Sequence, residues 1–103
     1  MDRNYIGTLY QFYKDLLNDK QAQAIELYYF EDFSLTEIAE HTETTKQAVS
    51  NLIIRSENLL LEYEEKLKLF QIALDLRELI DEMIKRDMDK DIVERLERLL
   101  ESI

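Results

Sequence analysis

Cysteine, proline and tryptophan are absent from this 103-residue sequence, and glycine occurs once, at Gly7. Without cysteine there are no disulfides and no thiolate chemistry, which fits a reducing compartment. Without proline and with one glycine, the frequent turns of a β-sandwich or barrel cannot be built. One glycine also cannot form a glycine-rich phosphate cradle. No apolar stretch reaches the roughly 18 residues that a membrane span needs. The leading "MDRNYIGTLYQFYKDLL" lacks the charged, apolar and small-residue order of a secretion signal, so a cytoplasmic protein with no membrane partner is expected.

Positive charge is scarce as well. The 13 Lys and Arg face 23 Asp and Glu, for a net charge of -10. The acidity is spread out: residues 1–55 hold five basic against nine acidic side chains, and residues 56–103 hold eight against fourteen. Neither part is a basic module. Hydrophobic residues nevertheless make up 46%, so the chain folds rather than remaining a disordered acidic tail. An all-α protein follows, its corners built from Asn, Asp, Ser and Thr.

Hydrophobic spacing places the helices. Ile6, Leu9, Tyr13 and Leu16 make one stripe of a first helix over about Arg3 to Leu17. Asn18 with Gln21 has capping-box spacing and starts a second helix that turns Ala22, Ile25 and Tyr29 inward and ends near Asp32. Ser34 with Glu37 repeats the box before "LTEIAEH", and Thr44 or Thr45 caps the next helix. No helix-stopping signal then occurs over residues 45–70. A further run from about Gln71 to Lys85 carries Leu69, Ile72, Leu76, Leu79 and Met83 at 3, 4, 3, 4 spacing, a short heptad seam. Asp89 in "RDMDKD" caps a last helix with Ile92, Leu96, Leu99 and Ile103 on one side. The expected organisation is a domain over 1–70 that includes the long helix, and a helical extension over 71–103 that dimerises or folds back.

"SLTEIAEHTETTKQAVSNLIIR" has the layout of a helix-turn-helix. Ala39 is small enough for two helices to cross closely, a short turn sets their angle, and Val49 and Ile53 meet Leu35 and Ile38. The fold class read from the chain is therefore an all-α helix-turn-helix bundle with a long helix and a helical C-terminal extension. "KQAQAIELYYFEDFSLTEIAEHTETTKQAV" resembles region 4 of bacterial sigma factors. Together with "LLLEYEEKLKLF" it is more similar to the YlxM family, small bacterial proteins whose gene usually neighbours that of the signal recognition particle GTPase. The resemblance covers about Tyr5 to Phe70. It implies a regulatory or adaptor role in the signal recognition particle pathway, with that particle's protein or RNA as partner. In that family the positions of Leu52 and Ile54 tend to be polar, so apolar residues there weigh against a fully solvated recognition face.

The residues that a nucleic-acid reader would use are Lys46, Gln47, Ser50, Asn51 and Arg55. Lys and Arg suit phosphate or guanine, and Gln and Asn can read adenine edges. Thr44 to Ser56 contains no carboxylate, but Arg3 to Lys14 is nearly as long and equally acid-free. Proteins of this kind use roughly six to ten phosphate contacts, whereas this segment offers two cations on a chain of charge -10. Duplex DNA is thus the weaker expectation, and a protein–RNA particle or a basic protein surface the stronger.

The long helix carries more apolar surface than one contact can bury, since a single core-facing stripe is only about 100° wide. Leu52, Leu59 and Tyr63, and further on Leu76, Ile80 and Met83, are expected to face a partner, and a homodimer through the long helices is favoured over fold-back. Other signals read as structural. His41 is a lone histidine without the companions a metal site needs. "EYEEK" gives an i,i+4 pair, and "RDMDKD" lacks the glycine and the last glutamate of a calcium loop. The aromatics Tyr5 to Phe33 fit the core and rim of the N-terminal bundle. No Ser/His/Asp or Cys/His set is present, so no enzyme, cofactor or metal is expected.

Overall fold

The structure, a computed structural model, describes residues 2–103. It contains α1 (Arg3–Tyr13), α2 (Asp19–Ile25), α3 (Leu35–His41), α4 (Lys46–Leu67), α5 (Leu69–Lys85) and α6 (Lys90–Glu101). A 3-10 turn at Lys14–Leu16 follows α1, and a π-helical segment at Glu26–Phe30 continues α2. No strand occurs among the described residues. The chain divides into two compact units, Met1–Lys66 and Leu67–Ile103.

The helix starts are set by short polar side chains that satisfy otherwise orphaned N–H groups. Asn18 accepts from the Gln21 N–H while the Gln21 side chain accepts from the Asn18 N–H, and Ser34 and Glu37 do the same for α3. The bonds from Ser34 hold the Glu37 carboxyl below its ordinary range. Asp89 accepts from the Asp91 N–H at 2.8 Å. Of the two threonines that could start α4, Thr45 is the cap: its Oγ1 accepts from the Ala48 N–H at 3.1 Å.

With almost no glycine, the corners are made differently from usual. Asp32, Glu43, Lys68 and Asp87 all adopt positive φ, between 52° and 57°. For residues with a Cβ this left-handed backbone costs on the order of 1 kcal/mol each. Lys68 ends the long helix at Leu67, three residues before Phe70, where the sequence offers no stop signal. Leu16 is a second departure. The 3-10 turn rotates it out of the α1 stripe, leaving it 52% exposed, and Leu17 is buried in its place.

In the N-terminal unit Ile6, Leu9 and Tyr13 of α1, Ile25 of α2, Ile38 of α3 and Val49 and Leu60 of α4 are fully enclosed. Three tyrosine–glutamate hydrogen bonds tie these elements together. Tyr13 Oη donates to Glu64 Oε1 at 2.6 Å, Tyr10 Oη to Glu26 Oε1 at 2.7 Å, and Tyr29 Oη to Glu57. Arg3 lies over the rings of Tyr28 and Tyr29 at 4.7 and 4.8 Å and donates to the Tyr28 carbonyl, a cation–π clasp on the π-helical segment.

Burial first, and the glutamate partner second, raise the Tyr10 and Tyr29 hydroxyls well above the ordinary phenol range. A raised pKa favours the protonated tyrosine in the folded state. The stability it supplies is complete below about pH 10, the unfolded value, and falls as pH rises toward the folded values. Unfolding midpoints in urea are therefore expected to drop above about pH 10, and the drop should be smaller in a Tyr10→Phe, Tyr29→Phe variant.

In the C-terminal unit α5 and α6 form a hairpin. Ile80 and Val93 are its buried residues, and Arg77 reaches Asp81 at 3.1 Å within α5 and Glu97 of α6 at 3.6 Å. Ile80, expected to face a partner, is instead 0% exposed within its own chain. It lies at the centre of the seam where the two helices meet, so it belongs to the hairpin core.

Candidate nucleic-acid interface

The helix-turn-helix is built on a small core of Ala24, Ile38, Ala39, Val49 and Ile53, with Phe33, Leu35 and Leu52 packed against it. Ala39 is 7% exposed and Ile38 1%, as the close crossing of α3 and α4 requires. The turn is held by Thr42, whose Oγ1 donates to the Ile38 carbonyl at 2.8 Å, and by the Thr44 N–H, which donates to the Ala39 carbonyl at 2.9 Å. Glu43, at φ 55°, occupies the left-handed position between them. His41 is placed edge-on to the Phe33 ring at 6.0 Å, a packing contact in the last turn of α3.

With Val49, Ile53, Ser56 and Leu60 turned into the unit, the opposite side of α4 is presented outward. Lys46, Gln47, Asn51 and Arg55 are exposed there and Ser50 is half-buried. Helical geometry puts Gln47 and Asn51 at the centre of the outward side, with Lys46 and Ser50 toward one flank and Arg55 toward the other. Gln47 Nε2 donates to Asn51 Oδ1 at 3.1 Å, so the two amides are paired with each other and aligned. Among the described residues neither Lys46 nor Arg55 forms an ion pair within the chain.

The surface is free of carboxylates from Thr44 to Ser56, and the next one is turned away. Glu57 accepts a hydrogen bond from Tyr29, which draws it to the bundle side. Glu43 at the turn is the acid nearest in sequence on the other side, and it is exposed. One apolar position flagged in the sequence lies on this surface, and one cation near it was not anticipated. Ile54 sits among the polar residues of this surface and is 51% exposed, making it an amphipathic rather than a purely polar face. Lys20 of α2 lines, with Thr42, Thr44, Leu52 and Arg55, a groove of about 400 Å³ that no carboxylate borders. Lys20 is far from α4 in sequence, and only the packing of α2 beside α4 adds it as a third cation.

Of the residues expected at a partner surface on α4, Leu52 packs against the helix-turn-helix core and Leu59 is half-buried. Tyr63 is half-buried too: its ring lies 5.9 Å from that of Tyr13, and its hydroxyl donates to the Leu16 carbonyl at 3.3 Å. These contacts lie within the N-terminal unit.

Comparison with known proteins gives a match over residues 1–100 to a family model, UPF0122, described as helix-turn-helix protein, YlxM / p13 like. The chain is 42% identical over 97 residues to the UPF0122 protein of Lactococcus lactis subsp. cremoris, covering 93% of this chain and 87% of that protein. It is 45% identical over 96 residues to the UPF0122 protein of Halalkalibacterium halodurans, covering 92% and 87%. It is 43% identical over 95 residues to that of Bacillus pumilus, covering 92% and 86%.

Proposed function

The chain belongs to the YlxM / p13-like helix-turn-helix family, and from that premise we infer that it is a regulatory or adaptor component of the signal recognition particle pathway. It would act by docking on a particle made of protein and RNA. The observation that supports this reading is charge segregation. A chain of net charge -10 keeps a carboxylate-free window over residues 44–56, nearly matched in length by the one over 3–14, and among the described residues Lys46 and Arg55 there are in no ion pair while Lys20 borders the adjoining groove. The window suits RNA phosphates, and the acidic remainder suits the basic protein that such an RNA is wrapped with.

A second reading, a DNA-binding transcriptional regulator, is favoured by the aligned amides of Gln47 and Asn51, which have the chemistry to read adenine in a major groove. Magnitude weighs against it. Three cations fall short of the roughly six to ten phosphate contacts of duplex-binding proteins, and long-range repulsion slows encounter.

The two readings separate in a titration of the protein against three probes: signal recognition particle RNA, that RNA with its protein, and a random-sequence DNA duplex. Binding is expected to the RNA–protein complex above all. Lys46→Glu with Arg55→Glu should weaken it at least ~10-fold and lower its salt slope by about 2. Equal binding of the duplex, or indifference to both charge reversals, would overturn the adaptor reading.

A further inference from the structure

The hairpin of α5 and α6 is two-faced. Helical geometry puts Arg77, Asp81 and Glu97 on one broad side, where Arg77 bridges the helices and where Leu74 and Ile84 of α5 are 44% and 52% exposed. The other side carries Ile72 and Leu79 from α5 and Ile92 and Leu99 from α6, which are 49%, 52%, 48% and 62% exposed. Half-buried Leu76, Met83 and Leu96 floor the valley between them. Both heptad-like seams of the sequence therefore open onto the same face. A hairpin whose seams face outward is half of a four-helix bundle.

Units under about 40 residues need disulfides, a metal or oligomerisation to be stable. This chain has no cysteine, and the described residues hold no cluster able to bind a metal. That leaves a second layer of protein. The N-terminal unit, with six basic and thirteen acidic side chains, has charge -7, and the hairpin, with seven and ten, has -3. Two hairpins repel each other less than a hairpin and an N-terminal unit would.

The rims of the face specify more. Beside Ile72 and Leu79, the outer edge of α5 carries Asp75 and Glu78, with Glu82 beyond them paired to Arg86 at 2.7 Å. Beside Ile92 and Leu99, the outer edge of α6 carries Arg95, one turn after Asp91, and then Arg98, and among the described residues neither arginine is in an ion pair. An acidic rim on one helix and a basic rim on the other are self-complementary under a two-fold axis.

We propose that a second copy of this chain covers the face, the two hairpins forming a four-helix bundle in which α5 of one copy lies on α6 of the other. The interface is the Ile72, Leu79, Ile92 and Leu99 surface, not the Leu52, Leu59 and Tyr63 side of α4. This goes beyond the adaptor reading and does not depend on it. Each assembled particle then carries two recognition surfaces.

The test is sedimentation equilibrium of the full chain. The unmodified protein is expected to be a dimer at low micromolar concentration. Leu79→Glu with Leu99→Glu should raise the dissociation constant at least ~100-fold while far-ultraviolet circular dichroism shows the helices retained. Arg95→Glu with Arg98→Glu should weaken the dimer about 10-fold, and adding Asp75→Arg and Glu78→Arg should restore it. A monomeric unmodified chain, or a dimer that tolerates the two glutamates at Leu79 and Leu99, overturns the proposal. Failure of the fourfold variant to recover the dimer overturns the pairing of α5 with α6.

Discussion

Tyr13→Ala is expected to lower the unfolding free energy by about 3–5 kcal/mol, the range for truncating a large buried aromatic. Against a total of about 5–15 kcal/mol for a domain, that moves the urea midpoint far enough to populate unfolded chain without denaturant. Two contributions combine. The ring is 1% exposed and lies 5.9 Å from that of Tyr63, so its removal leaves a cavity between α1 and α4. The hydroxyl donates to Glu64 Oε1 at 2.6 Å, and Glu64 is itself 9% exposed. Tyr13→Phe isolates the second contribution and should cost about 1.5–3 kcal/mol, as for a hydrogen bond to a charged group. Equal stability of Tyr13→Phe and the unmodified protein would show that Glu64 does not rely on this donor.

Ile80→Ala has the second large effect, about 2–5 kcal/mol by the cost of truncating a buried isoleucine, and it should be local. Ile80 and Val93 are the buried residues of α5 and α6, so losing one removes half of the enclosed core of the hairpin. Amide hydrogen exchange should rise throughout α5 and α6 and stay near its original level in α1 to α4. Uniform acceleration across both units would mean that they unfold as one cooperative body rather than as the separate units their contacts describe.

The helix-turn-helix was legible because its determinants are local. Capping boxes at Asn18 and Ser34, a small residue at Ala39 and apolar positions at Val49 and Ile53 lie within a few residues of the features they produce. The exposure of Gln47 and Asn51 on α4 follows from helical periodicity, which also sets Lys46 and Arg55 on opposite flanks of that helix. What escaped depends on backbone states without a residue signature. Lysine has no preference for the left-handed region, so nothing in "KLKLF" announced that Lys68 would end α4. The 3-10 turn that expels Leu16, and the packing of α2 that brings Lys20 beside Arg55, arise from tertiary competition. Ile80 was misplaced because an apolar position in a helix shows that it needs cover, not whether α6 of the same chain or a partner supplies it.

The four left-handed corners at Asp32, Glu43, Lys68 and Asp87 also bear on the denatured chain. A Cβ that strains a corner in the native state equally restricts the coil, narrowing the ensemble from which folding starts. Glycine at those sites would relax the folded joint and loosen the coil together, and the two changes oppose each other. A sequence nearly devoid of glycine can in this way make sharp reversals with less loss of net stability than the native geometry alone implies.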